Sequence, residues 1–204
     1  MENLRVVLAS ASPARLEILR RAGIEPEVMV SGIDESTETG HPVMLAATLA
    51  ERKAQAVSQR LAGHEPVLVI GCDSVLEFER QPFGKPASAE EAISRWQAMR
   101  GRTGMLHTGH HVILRSRGVH QLGATASTLV RFANLTDDEI QAYVATGEPL
   151  SVAGGFTLDG LGGPFISGIE GDPHNVIGLS LPLLRDLLTE LGIAWPQLWS
   201  SSGR

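Results

Sequence analysis

An α/β fold is predicted for this chain, with an elongated mixed β-sheet flanked by helices and two lobes around a central cleft. Strand-like and helix-like segments alternate along most of the sequence. Residues 67–70 form a continuous aliphatic run, which is typical of a strand buried on both faces of a sheet. Residues 105–115 and 119–132 alternate enough to predict two antiparallel strands around the turn at 116–118.

The individual elements follow from periodicity and from helix-capping residues. Ser12 is a suitable N-cap with proline after it, and Ser88 and Thr136 each open a capping-box pattern. In chain order, the pattern predicts a strand at 4–9, a helix from 13 that Gly23 ends, a strand at 26–31, a helix at 42–61, the strand from 67, a helix from 88 that ends before 101, the strand pair, a helix after 136 and a helix at 181–191.

Two structural details depend on interpretation. The long helix at 42–61 is expected to present Leu45, Leu49, Ala56 and Leu61 as its apolar face. Residues 75–78 either continue the buried strand from 67 or form one arm of a hairpin.

No linker divides the chain, so residues 1–204 are interpreted as a single domain of two lobes with a polar tail at 200–204.

Composition limits the function classes. The chain has 204 residues, is 43% hydrophobic and carries a formal charge of −6, which argues against a bulk nucleic-acid or anionic-membrane binder. A single cysteine excludes an internal disulfide and a cysteine-based zinc site. No apolar stretch reaches 18 residues and the first residues lack the order of a signal peptide. We therefore expect a cytoplasmic protein with neither nucleic acid nor membrane as a partner.

The residues that follow the aliphatic run are the strongest candidates for chemistry. Asp73 is expected at the carboxyl edge of the strand, where open α/β sheets place their ligands. A charge there needs a partner, so either a functional role or a satisfied turn or cap explains it. Lys85 follows in a loop and is well placed to meet an anion.

Three further segments have both a functional and a simpler explanation. Ser10 and Arg15 flank the predicted helix start, which suits a phosphate, but the favoured explanation is that Ser12 is an N-cap and Arg15 a solvated residue of the first turn. Glu35 follows Asp34 in a polar loop, and such a pair either binds a divalent cation or is simply solvated. Lys53 by itself is an ordinary helix lysine.

Three histidines lie in the first strand of the predicted pair. His107 and His111 share one face of that strand, and His110 points to the other. Because this is not the helical spacing of a zinc pair, ordinary packing explains them better than a metal site.

Taken together, these segments resemble the Maf proteins over nearly the whole chain. The matching motifs are residues 8–15, Asp34-Glu35, Lys53-Ala54, Cys72-Asp73-Ser74, Gly84-Lys85-Pro86, Gly147-Glu148-Pro149 with Ala153-Gly154, and residues 175–179. The family is one of nucleoside triphosphate pyrophosphatases related in fold to inosine triphosphatase. The resemblance implies hydrolysis between the α and β phosphates of a nucleoside triphosphate, a divalent cation such as Mg²⁺ or Mn²⁺, and a homodimer.

The resemblance also implies roles for individual residues. Asp73 matches the catalytic aspartate, as the base toward water or as a metal ligand. Glu35 is the candidate metal ligand. The expected substrate-binding residues are Ser10, Arg15, Lys53 and Lys85.

Departures from the family pattern leave the preferred base open. Ala14 stands where many members have a basic residue, and Asp159 stands where pyrimidine-selective members have glutamine. A second hypothesis also remains: a regulator of cell division that binds a nucleotide or a protein partner and needs no turnover.

Overall fold

The computed structural model describes residues 4–35, 38–63 and 66–199, and the tail expected at 200–204 lies outside them. Within the described residues, the chain forms seven strands and six α-helices. The strands are β1 (Arg5–Leu8), β2 (Glu27–Val28), β3 (Val67–Phe78), β4 (Gln81–Phe83), β5 (Thr103–Arg115), β6 (Val119–Phe132) and β7 (Ile166–Glu170). The helices are α1 (Pro13–Arg21), α2 (Pro42–Arg60), α3 (Ala89–Met99), α4 (Asp137–Ala145), α5 (Pro173–Ile177) and α6 (Leu181–Glu190).

All seven strands belong to one mixed sheet. Its order is β2-β1-β3-β5-β6-β7, and β4 pairs with β3 outside this path. β1 pairs in parallel with β2 and β3, whereas the pairs β3–β5, β5–β6 and β6–β7 are antiparallel. The α/β class, the mixed sheet flanked by helices and the β5–β6 hairpin are therefore confirmed.

The position predicted for Asp73 within its strand is wrong. β3 runs for 12 residues, so residues 75–78 continue the strand and Asp73 lies in its middle, opposite Gly109 of β5. Pairing with β5 extends from Val67 to Glu77, and this long ladder keeps the polar residues at 73 and 74 in extended backbone. The second strand is also shorter than the 26–31 expected, with only two residues.

The other edge of β3 is open around Asp73. β1 pairs with β3 as far as Ile70, and β4 pairs with it from Leu76 onward. Among the described residues, no strand pairs with this edge between those two positions. The interruption leaves this edge of the sheet accessible to side chains from both faces of the sheet.

Helix α2 lies on one face of the sheet, but the apolar face predicted for it is only partly correct. Leu49 and Leu61 are buried as expected, whereas Leu45 and Ala56 are half-buried. The contact is made by small residues: Ala46, Ala50, Ala54 and their neighbours, because α2 crosses β3 and β5 at two glycines. A Cβ atom on Gly71 would lie 2.4 Å from the carbonyl oxygen of Ala50, and one on Gly109 would lie 2.2 Å from that of Ala46.

The opposite face carries most of the core. α1 and α6 pack against the first half of β3, and α3 and α4 pack against its second half, with Trp96 fully buried between α3 and its neighbours. The helix starts at Ser12, Ser88 and Thr136 are confirmed, since each hydroxyl accepts a hydrogen bond from a backbone N–H of its first turn. The division into two lobes stays a prediction. No helix in the described part of the chain is long and apolar enough to cross a membrane.

We expect Gly109→Ala to lower the free energy of unfolding by about 1–3 kcal/mol, because the added methyl group forces α2 away from the sheet. Urea denaturation measures the change. Gly84→Ala is the control, since a Cβ atom there meets nothing within 4 Å. Equal stability of Gly109→Ala and the parent chain would contradict the close contact between α2 and β5.

Candidate functional site

The segment after β1 places Ser10 and Arg15 beside the open edge of β3. Both are buried, with exposed fractions of 6% and 8%. The Arg15 guanidinium donates to the carbonyl oxygen of Gly178 at 2.7 Å, to the carbonyl oxygen of Cys72 at 2.9 Å, to Ser10 Oγ at 3.1 Å and to Ser74 Oγ at 2.9 Å. Four of its five N–H donors are therefore used within the protein.

This saturation changes the role expected for Arg15. A guanidinium with one remaining N–H donor cannot form the bidentate pair of hydrogen bonds by which arginine commonly binds a phosphate. Its positive charge still faces the open edge, because the Cys72 carbonyl that it contacts lies on that edge. We therefore interpret Arg15 chiefly as the residue that holds the edge in place, which the sequence does not predict.

A buried polar network continues from Arg15 through the sheet. Ser74 Oγ lies 2.9 Å from Thr108 Oγ1, which donates to the carbonyl oxygen of Asn175 at 3.0 Å. The Asn175 amide donates in turn to the Leu106 carbonyl and to Thr128 Oγ1. Sequence reasoning identified Ser74 and Asn175 only as parts of motifs. Their polar side chains inside apolar surroundings were the available indication.

On the other face of β3, Asp73, Lys53 and Glu35 form a charged cluster. Side chains alternate along a strand, so Asp73 points away from Ser74 and toward α2. Lys53 Nζ donates to Asp73 Oδ1 and lies 2.7 Å from Glu35 Oε1. The Lys53 side chain is 9% exposed and that of Asp73 is 10% exposed, whereas that of Glu35 is 47% exposed. Three of the predicted site residues are thus brought together.

Burial controls the electrostatics of this cluster. It raises the pKa of Asp73 above the usual value of an aspartate, and the positive charges of Lys53 and Arg15 oppose that rise. Burial also raises the pKa of the neighbouring Cys72 to about 11, so this thiol stays protonated near neutral pH. Of these two groups with a raised pKa, Asp73 is the one whose side chain contacts Lys53.

Lys85 is the predicted site residue that has no hydrogen bond or ion pair with any other of them in the described part of the chain. It is exposed in the loop between β4 and α3, and it forms no ion pair with the described residues. The loop itself is held firmly: the Gly84 carbonyl accepts from the backbone N–H of Gly154 at 3.1 Å and from Arg95 at 2.7 Å. Gly154 lies at φ +72° and a Cβ there would be 2.8 Å from Leu76 Cβ, so glycine is needed at this position.

The three histidines of β5 are buried, and His110 has two polar contacts of its own. His110 is buried, accepts from the backbone N–H of Ser180 at 2.8 Å and lies 3.0 Å from the Thr108 carbonyl. Burial lowers the pKa of His110 to about 4, so it is neutral and positions the start of α6. The described residues contain no cluster of three His, Cys, Asp or Glu side chains able to hold a metal ion.

Asp159 lines a cavity of about 220 Å³ beside the start of α1. Ala14, Glu17 and His174 line the same cavity.

In chemical terms, the arrangement offers a carboxylate next to two positive charges at an accessible edge of a sheet. Arg15 reaches this edge from one face and Lys53 from the other. Such an arrangement suits a substrate with several negative charges, and the raised pKa of Asp73 makes its carboxylate a better proton acceptor than a solvated one.

Several known proteins are similar to this chain over almost its whole length. A nucleoside triphosphate pyrophosphatase of Streptomyces coelicolor is 60% identical over 197 residues, covering 96% of this chain and 95% of that protein. One of Salinispora tropica is 59% identical over 200 residues, covering 97% of this chain and 88% of that protein. One of Mycobacterium marinum is 46% identical over 211 residues, covering 97% and 98%.

Among solved structures, the Ham1 protein of Staphylococcus aureus has a TM-score of 0.42 at 13% identity, covering 96% of this chain and 93% of that one. A dITP/XTP pyrophosphatase from Mycobacterium abscessus has a TM-score of 0.40 at 13% identity, covering 93% and 94%. Residues 5–191 match the family model described as Maf, Maf-like protein, and the chain belongs to this family.

Proposed function

We propose that this chain is a nucleoside triphosphate pyrophosphatase, which cleaves its substrate between the α and β phosphates to yield the nucleoside monophosphate and pyrophosphate. The family membership and the names of relatives that are 46–60% identical support this activity. The observation that carries it is the convergence of Lys53 and Arg15 on the open edge of β3, where Lys53 contacts the Asp73 carboxylate.

The triphosphate binds where positive charge is already concentrated. Lys53 is buried and points to the edge, so its ammonium acts in surroundings of low dielectric, where it attracts a phosphate more strongly than a solvated lysine does. Lys85 has no ion pair with the described residues, so its ammonium is available for the outer phosphates. Ser10 lies buried in the segment between β1 and α1, where its hydroxyl accepts from Arg15 and is available to donate to a phosphate.

Asp73 acts as the base toward the attacking water in this proposal. Desolvation raises its pKa, which increases the affinity of the carboxylate for the proton of water. The contact with Lys53 opposes this effect while the site is free of substrate. When the triphosphate draws the Lys53 ammonium toward itself, Asp73 loses part of this stabilisation and becomes more basic.

The residues present fit a divalent cation whose coordination is completed by the phosphates of the substrate. The carboxylates of Glu35 and Asp73 both contact the same Lys53 ammonium, so two hard oxygen donors already point at one positive charge. Mg²⁺ is commonly held by one or two carboxylates together with substrate phosphates. When bound, the cation neutralises the charge that develops on the leaving pyrophosphate. Glu35 is its proposed ligand, with Asp73 as the alternative or second ligand.

The base-binding region is proposed to include the cavity beside Asp159. The Asp159 carboxylate in its wall can accept hydrogen bonds from the amino groups of a purine. The homodimer, the cytoplasmic location and the absence of a nucleic-acid partner stay predictions.

Asp73→Asn is expected to lower the rate of pyrophosphate release about 100-fold or more, because the amide cannot accept the proton from water. The measurement is pyrophosphate release with Mg²⁺ or Mn²⁺ across canonical and modified nucleoside triphosphates. Asp138→Asn, on the exposed side of α4, is the matched control. If the parent chain binds nucleotides but releases no pyrophosphate from any of them, the regulator hypothesis replaces the enzyme.

Lys53→Met is expected to lower the free energy of unfolding by about 3–5 kcal/mol near neutral pH, because it leaves the Asp73 carboxylate buried without its partner. It also raises the pKa of Asp73 further. A carboxyl group with a raised pKa favours the folded state at low pH and loses that advantage as the pH rises, so the loss is larger at about pH 8 than at about pH 5.

Urea denaturation at the two pH values tests this expectation, and the double variant Lys53→Met/Asp73→Asn is the control. Replacing the carboxylate by a neutral amide should restore part of the stability. An equal loss at both pH values, or no recovery in the double variant, would show that the ion pair does not govern this region.

Glu35→Gln is expected to increase the concentration of Mg²⁺ needed for half-maximal pyrophosphate release by about tenfold or more, because a neutral amide is a weaker ligand for a hard cation. Glu38→Gln, three residues away and paired with Arg52, is the control and should leave the requirement unchanged. An unaltered Mg²⁺ requirement in Glu35→Gln would remove Glu35 from the metal site.

A further inference from the structure

Outside the proposed phosphate site, three side chains from three neighbouring strands form a continuous hydrogen-bonded row. His107 Nε2 of β5 lies 2.9 Å from Glu77 Oε2 of β3, and His107 Nδ1 lies 2.7 Å from Ser127 Oγ of β6. An imidazole that acts as a base needs two such contacts. One is with a group that holds its orientation, and the other is with the group whose proton it accepts.

The register of the sheet explains this row. Ser127 is directly opposite His107, which in turn is opposite Val75, and Glu77 lies two residues further along β3 on the same face. Asp73 shares this face but lies on the other side of Val75. The row is therefore separate from the Lys53–Asp73 cluster, and the proposed pyrophosphatase mechanism does not use it.

Burial differs along the row in a way that suits chemistry at one end. The His107 side chain is 5% exposed and that of Glu77 is 22% exposed, while Ser127 is exposed. A buried imidazole is held in one orientation by its two partners. An exposed hydroxyl at the end of the row can be reached by a molecule from solution.

The donors and acceptors fix the direction of the row. An ionised carboxylate only accepts hydrogen bonds, so in the neutral imidazole the hydrogen lies on Nε2 and is donated to Glu77. Nδ1 then carries a lone pair, and the Ser127 hydroxyl donates to it. This places the serine proton next to a base, as in the serine–histidine–carboxylate arrangement of hydrolytic enzymes.

We infer that Ser127 is an activated nucleophile, with His107 as its base and Glu77 as the positioning residue, and that it is covalently modified by small uncharged acyl esters and organophosphorus compounds. The apolar side chains of Met105 and Leu129 favour a reagent that carries no charge. They pair directly with each other next to the row, lie on the same face and are half-buried outside the core clusters.

The chemical step is balanced by groups that are present. With a fluorophosphonate, the bond between Ser127 Oγ and phosphorus forms, the phosphorus–fluorine bond breaks and fluoride leaves. The hydroxyl proton passes to His107 Nδ1 and then to solvent. With an ester, the bond between Ser127 Oγ and the acyl carbon forms, and His107 returns the proton to the departing alcohol or phenol.

The test is the rate of labelling by a small uncharged fluorophosphonate, with the modified residue located by mass spectrometry of peptides. We expect Ser127 to be labelled at least about tenfold faster than Ser116, which is exposed in the β5–β6 turn. Ser127→Ala should abolish the fast labelling and Ser116→Ala should leave it unchanged. The thermal unfolding midpoint of each variant verifies that it is folded.

Glu77→Gln distinguishes activation from simple exposure of a serine. The amide keeps the size of the side chain, but its NH₂ group can donate to Nε2 and thereby favours the tautomer that cannot accept from Ser127. We expect the maximal labelling rate to fall about tenfold or more, with the concentration for half-maximal rate unchanged. Labelling of Ser127 no faster than Ser116, or an undiminished rate in folded Glu77→Gln, would overturn the inference.

Discussion

The contact between the Arg15 guanidinium and the Cys72 carbonyl is the constraint on which the proposed site depends. β1 leaves β3 after Ile70, whose carbonyl still accepts from the backbone N–H of Ala9 at 2.8 Å. Carbonyl groups on one edge of a strand recur every second residue, so the Cys72 carbonyl is the next group that needs a donor on that edge. Arg15 supplies it. The edge is thereby satisfied by a positive charge in place of another strand, and it stays open to a ligand.

This arrangement also explains why a charged residue is tolerated in the middle of a long strand. Asp73 would be costly at a site that is 10% exposed if it had no partner. Lys53 supplies the partner from α2, and α2 comes close enough because Gly71 and Gly109 have no side chains. The same glycines, the same helix and the same lysine thus contribute both to packing and to the proposed chemistry. A substrate phosphate that replaces the exposed Glu35 as a partner of Lys53 leaves the buried Asp73 in contact with the ammonium.

The parts of the structure that the sequence predicted best are those set by local interactions. The helix starts at Ser12 and Thr136 follow from their own side chains, and the β5–β6 hairpin follows from alternation around a short turn. The errors have tertiary causes. Asp73 lies inside a strand because pairing with β5 continues past it. The apolar face of α2 is displaced because small residues, rather than the leucine at 45, match the two glycines beneath the helix. Three of the four partners of Arg15 lie 57, 59 and 163 residues away, beyond the reach of any local pattern.

Attack of water at the α-phosphorus is tested most directly by following the oxygen atom of that water into the products. Hydrolysis of a nucleoside triphosphate in water enriched in oxygen-18, followed by ³¹P NMR of the products, locates the label on one phosphorus. If Asp73 activates water toward the α-phosphorus, the label appears in the nucleoside monophosphate and the pyrophosphate stays unlabelled. Label in the pyrophosphate, or release of inorganic phosphate with a nucleoside diphosphate, would contradict the proposed role of the site.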